Sequence, residues 1–201
     1  MQRPHLKSWP KRLPRQLVLP QTSLWDNLAT SAKRYPDKAA LVFFERALTF
    51  RALREQAERL AARLQSFGVR PGDRVMLDMQ NCPQLVVAHF AILRCDAVVV
   101  PVNPMNRAVE LQHYITDADL RVAITTGDLA AEIIEASEGL PPAERLSHLV
   151  VTQFTDAFDA PTAGQDPLPA AWQDWLLTRH PLPRSETPRV MDWHEALEHE
   201  L

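Results

Sequence analysis

The sequence predicts an α/β domain: a doubly wound, mainly parallel sheet flanked by helices. Two observations carry this. From Asn81 to Leu111 an apolar helix, a β-branched strand and a second helix follow one another with no hairpin turn between them, the signature of a crossover unit. Between residues 74 and 153, four short apolar runs alternate with three helical periodicities over short links.

Taken in order, residues 1–21 form an extended basic arm with Arg3, Lys7, Lys11, Arg12 and Arg15, no acid, and four prolines. Leu17-Val18-Leu19 is too short for the ~7–15-residue core of a signal peptide. Thr22-Ser23 with Asp26 reads as a helix start, and Leu24, Leu28, Ala32 and Tyr35 recur at helical spacing until Pro36. Ala39 to Phe44 is a strand, with Glu45-Arg46 turning the chain into Leu48-Thr49-Phe50. Arg51 to Phe67 is an amphipathic helix with Leu53, Ala57, Leu60, Ala61 and Leu64 on one face. Gly68 follows it where a left-handed residue fits, and Arg70-Pro71-Gly72-Asp73 is a tight turn into a strand over 74–79.

Cys82 to Cys95 is apolar nearly all round, so it packs on several sides. Ala97 to Val100 is a buried parallel strand closed by Pro101. Helices over 107–118 and 128–139 alternate with strands over 121–126 and 148–153. The α/β domain thus covers 22–153. Six prolines break the pattern over 154–189, a Pro-rich irregular excursion in which only Trp172-Leu176-Leu177 suggests a short helix. Residues 190–201 read as a last helix, leading to a missing downstream portion.

Composition narrows the function. Hydrophobic residues make up 46% of 201, enough for a sizeable core, and a net charge of −3 argues against a general nucleic-acid binder. The longest mainly apolar run, Leu85 to Leu93, is about half of the ~18 residues a membrane span needs. Cys82 and Cys95 sit on one helix, roughly 20 Å apart, too far to bridge. The expected setting is cytoplasmic. Only five glycines occur and none cluster, so a phosphate-cradling loop is absent.

Local motifs supply little chemistry. His194 and His199 are five apart, which turns one roughly 140° from the other on a helix, so a zinc-protease pattern fails. His89 reads as a core histidine or a pocket liner. Asp73 and Arg74 read as a solvated strand entry. Arg107, opening a helix after Asn103-Pro104, reads as a solvated side chain or an anion contact. No Gly-x-Ser-x-Gly elbow marks a serine nucleophile.

Several phrases, in order, resemble the N-terminal part of the AMP-forming acyl-CoA synthetases of the adenylate-forming superfamily. They are TSLWDNLATSAKRYPDKAALVF, LTFRALREQAERLAARLQSFGVRPGDRV, NCPQLVVAHFAILRCDAVVVPVNPMNRAVELQHYITDADLRVAIT and SHLVV. The opening RPHLKSWP with LPRQLVLPQTSL is most similar to bacterial medium- and long-chain fatty-acid–CoA ligases. The resemblance implies that a carboxylate attacks the α-phosphate of ATP with Mg2+, and that the CoA thiol then displaces AMP. It also implies that the phosphate loop, the ribose acid and the catalytic lysine lie beyond Leu201, so no catalytic residue is carried over and the fragment is expected to be inactive, with none of these cofactors bound.

One binding residue is carried over: Arg107, toward the CoA phosphates. The resemblance leads one to expect Gly where Asp96 stands. It makes a fatty acid or other carboxylate and CoA the partners, and an exposed sheet face the route to self-association. Two rival readings stand beside it: a standalone, non-catalytic α/β interaction module, and an adenylate-forming enzyme with a different acceptor, such as a carrier protein.

Overall fold

The computed structural model describes residues 4–44, 46–157 and 170–199. A hairpin pairs Ala39–Phe43 (β1) with Arg46–Thr49 (β2) antiparallel. The central sheet holds Arg74–Asp78 (β3), Val98–Val102 (β4), Val122–Thr126 (β5), His148–Thr152 (β6) and Arg189–Asp192 (β7). Its order is β4-β3-β5-β6-β7 and every neighbouring pair is parallel. The chain leaves β3 for β4 on one side, then crosses back to β5 on the other. The topological switch point therefore lies between β3 and β5.

Three expectations are corrected here. The sheet has five strands rather than four, because residues 190–201 do not make one helix. Val190 and Met191 belong to β7, paired to Leu149 and Val150, and only Trp193–Leu197 is helical (α7). A β-branched residue beside a methionine fits a buried strand, and four residues are too few for the periodicity to separate the two. The strand after Cys95 is also not buried on both sides. It is the sheet's edge, with Val98 47% exposed, and it runs through Pro101 rather than stopping there. An edge strand has outward positions that need no ladder bond, and a residue without an N–H fits one. In the hairpin, Phe44 makes the turn at φ +46, Arg46 already belongs to β2, and Glu45 lies outside the described residues.

The remaining elements follow the sequence reading closely. Leu24–Arg34 (α1) starts at Ser23, whose hydroxyl accepts from the Asp26 N–H, while the Asp26 carboxylate accepts from the Ser23 N–H at 2.8 Å. Phe50–Ser66 (α2), Pro83–Arg94 (α3) and Ala108–Asp117 (α4) all end alike. In each, a residue at positive φ (Gly68 at +93°, Asp96 at +54°, Asp119 at +47°) donates back three residues, and the next donates back five. This closes the last carbonyls and points Val69, Ala97 and Leu120 into the core. Ala130–Glu138 (α5) and Ala170–Leu177 (α6) complete the set. The helix expected around Trp172 is α6, while residues 158–169 of the irregular excursion lie outside the described residues.

The sheet separates two cores. On one face Val75, Leu77, Ile124 and Val150 pack under α1, α2, α3 and α7 with the hairpin. On the other, Met76, Ala123, Leu149 and Val151 pack under α4 and α5. Both faces are thus covered, and exposed apolar side chains lie instead on the N-terminal arm (Leu17, Val18, Leu19), on α6 (Trp172), at the β4 edge (Val98), and on the hairpin and α4 (Val42, Val109). No helix among the described residues is long and apolar enough to cross a membrane.

Candidate functional site

In an open parallel sheet, ligands settle at the carboxyl ends of the strands. Here that edge is built from Asp78 and Met79 at the end of β3, Thr125 to Asp128 at the end of β5, and Thr152 and Gln153 at the end of β6. The Thr125 hydroxyl donates to the Asp78 carbonyl at 2.7 Å, bolting β5 to β3 at the switch point. Gln84, in the first turn of α3, donates to the Gln153 carbonyl at 2.9 Å. The Gln153 amide in turn donates to the His180 carbonyl (3.0 Å) and accepts from the His180 N–H (3.1 Å). Gln153 therefore imitates a strand partner for the returning chain.

Beside it, the buried Asp156 carboxylate accepts from Thr152 Oγ1 (3.0 Å), the Gln153 N–H (2.8 Å), Arg179 (2.9 Å) and His194 Nε2 (3.2 Å). His194 thus serves a carboxylate contact. No group of three or more His, Cys, Asp or Glu side chains among the described residues is arranged to hold a metal.

Asp78 is 2% exposed and carries no hydrogen bond on its carboxylate. Burial, with the nearby Asp128 adding repulsion, pushes its carboxyl up to about 6. Composition and motif searches pass over this residue. The signal that could have found it is an acid closing the apolar run Val75-Met76-Leu77, where a strand end meets a crevice.

His89 lines a cleft of about 410 Å3 between α3 and the ends of β3 and β4, with Leu77, Met79, Asn81, Leu85 and Val99. Burial pushes its imidazole down, favouring the neutral ring. Of the two readings of His89, pocket liner is the observed one. Arg107, at the start of α4, does not line this cleft, although Pro104 three residues before it does. The Arg107 side chain is 77% exposed and meets Glu132 of α5 at 2.8 Å, while the second Glu132 oxygen accepts from the Ala108 N–H. The sequence gives no hint of Glu132 as its partner, because the two are 25 residues apart. Asp73 accepts from the Arg70 N–H at 2.8 Å, closing the turn at the opposite, amino-terminal edge.

Residues 28–192 match the family described as AMP-binding enzyme. The chain belongs to that family. A long-chain-fatty-acid–CoA ligase of Bacillus subtilis (strain 168) is 40% identical over 124 residues, covering 62% of this chain and 22% of the relative. Among solved structures, the anthranilate CoA ligase AuaEII in complex with anthranoyl-AMP superposes with a TM-score of 0.61 at 26% identity, over 79% of this chain and 29% of its own. A long-chain-fatty-acid-CoA ligase from Archaeoglobus fulgidus gives 0.60 at 25% identity, over 67% and 28%. The chain spans about a quarter of the length of the family members it matches. What it shares with them is the parallel-sheet fold described above.

Proposed function

We propose that this chain is the N-terminal portion of an ATP-dependent fatty-acid–CoA ligase. The parent joins a carboxylate to AMP with loss of pyrophosphate, then passes the acyl group to the thiol of CoA with release of AMP, in the cytoplasm. The observation that carries this reading is the 165-residue family match across residues 28–192, together with 40% identity over 124 residues to a long-chain-fatty-acid–CoA ligase.

The chain's own residues do not fit ATP phosphates. The two glycines at positive φ among the described residues, Gly68 and Gly72, lie at the amino-terminal edge of the sheet, away from the carboxyl ends of the strands. ATP, Mg2+ and CoA are therefore co-substrates and cofactor of the parent, and the 201-residue chain alone is inactive. Pyrophosphate release should be undetectable for the purified chain given ATP, Mg2+, CoA and a long-chain fatty acid. ATP-dependent turnover by it would overturn the inactivity. Failure of the longer reading frame to form any acyl-CoA would overturn the parent activity.

For CoA the chain offers Arg107, exposed and held at the start of α4 by Glu132. A phosphate outbids one carboxylate for a guanidinium through its charge and three acceptor oxygens. Arg107→Ala in the parent should raise the KM for CoA several-fold and leave ATP-dependent adenylate formation intact. Unchanged CoA dependence would dispose of the role.

A further inference from the structure

Residues 1–21 carry five of the chain's 22 Lys and Arg side chains and none of its 25 Asp and Glu. The other 180 residues therefore hold 17 basic against 25 acidic groups, a charge of −8 beside an arm of +5. After a helical turn over Pro4–Ser8 the arm takes up no helix or strand until α1 begins at Leu24. Pro10, Pro14 and Pro20 account for this, since each lacks the N–H that either structure would bond. Trp9 Nε1 donates to the Leu13 carbonyl at 3.3 Å and to the Pro14 carbonyl at 3.2 Å, which curls the segment on itself.

Just beyond that curl, Leu17, Val18 and Leu19 are 88%, 94% and 71% exposed. Single exposed apolar side chains are ordinary, but three in succession with most of their surface in water are not. Arg15 stands two residues before the triplet, within about 7 Å of backbone, and Lys11 and Arg12 lie a few residues further back. No ion pair engages Lys7, Lys11, Arg12 or Arg15 among the described residues. The arm therefore presents unneutralised cations beside uncovered hydrocarbon.

An anionic lipid bilayer answers to both features. Its headgroups attract clustered Lys and Arg, and its acyl boundary takes up apolar side chains. Neither signal anchors firmly alone, but two together do. Nucleic acid would satisfy the charges, yet aliphatic side chains add nothing to a stack of bases. We propose that residues 9–20 tether the chain to anionic membrane surfaces, with Leu17, Val18 and Leu19 entering the headgroup–acyl boundary and Lys11, Arg12 and Arg15 meeting lipid phosphates. The acidic remainder of the chain is repelled by the same surface, so contact stays with the arm, within a Debye length of about 8 Å. The tether rests on the arm alone and stands whether or not the parent is a fatty-acid–CoA ligase.

The test is flotation of the 201-residue chain with vesicles of phosphatidylcholine alone and of phosphatidylcholine mixed with phosphatidylglycerol. One variant combines Lys11→Gln, Arg12→Gln and Arg15→Gln, and a second combines Leu17→Ser, Val18→Ser and Leu19→Ser. The control removes as much charge elsewhere, with Lys33→Gln, Arg34→Gln and Arg70→Gln, all at exposed positions. The unaltered chain should float with the mixed vesicles only, and should be released as NaCl rises from ~0.05 to ~0.5 M. The charge variant should partition about a hundredfold less and the apolar variant about tenfold less, with the control unchanged. Both arm variants should keep the melting temperature of the unaltered chain, so that lost binding is not lost folding. Absence of flotation, equal flotation with neutral vesicles, or equal loss in the control overturns the proposal. So does full retention by the apolar variant, or tighter binding to poly(U) than to the mixed vesicles, either of which would make the arm a general polyanion binder.

Discussion

Asp156 and Arg179 join two points of the irregular excursion that lie 23 residues apart: the guanidinium reaches the fully buried carboxylate at 2.9 Å. The same carboxylate takes the Gln153 N–H and the Thr152 hydroxyl, so one side chain ties the end of β6 to the segment that leads back to β7. Asp156→Ala leaves those donors facing a void. We expect a loss of about 3 kcal/mol in urea unfolding, the cost of opening a buried, multiply bonded carboxylate. His194→Ala, by contrast, removes a side chain that is 58% exposed and should cost under about 1 kcal/mol. Equal losses for the two would mean that Asp156 is not the hub.

Asp96 occupies a backbone position that glycine would fill without strain. At φ +54 its Cβ crowds the following carbonyl, and none of its side-chain oxygens is hydrogen-bonded in return. Asp96→Gly should therefore raise stability by roughly 0.5 kcal/mol, after allowing for the extra freedom glycine has when unfolded, and Asp96→Ala should lower it by about 1 kcal/mol. Chemical denaturation of the three proteins ranks them directly. The ranking fails if alanine is the most stable.

These two sites mark what the sequence can and cannot disclose. The left-handed ends at Gly68 and Asp96, the capped start at Ser23 and the crossover from α3 through β4 to α4 are local, written within a few residues of each other. The hub at Asp156 and the Gln84–Gln153–His180 relay are not. Each joins residues 23 to 69 positions apart, and nothing in their immediate neighbours marks them. The same reason hides the partner of Arg107. β7 escapes the sequence on other grounds: its four residues span barely one helical turn, too few to tell the two periodicities apart, and only pairing to β6 makes them a strand.

Gly127 has a requirement of a different kind from the glycines at positive φ. A Cβ there would stand 2.5 Å from the Gln153 side-chain amide. That amide is not a free end able to swing aside, since both of its polar atoms are bonded to the backbone of His180. Gly127→Ala should break the relay and cost about 1–3 kcal/mol, with hydrogen exchange at the His180 amide accelerating more than at the α2 amides. Uniform acceleration across both would place the damage elsewhere.

Asp78 gives the fold a pH dependence whose sign is opposite to that of an ordinary paired carboxylate. In the folded chain its carboxyl is pushed up to about 6 by burial and by Asp128, against 3.8 for the free side chain. Between those values the folded state holds a proton that the unfolded state has released. Stability therefore falls as pH rises from roughly 4 to 6, and levels off above. A shift of this size corresponds to about 3 kcal/mol. The urea midpoint should drop across that window. In Asp78→Asn the drop should shrink, because asparagine has no proton to lose. An identical slope in both proteins would show that another group sets it.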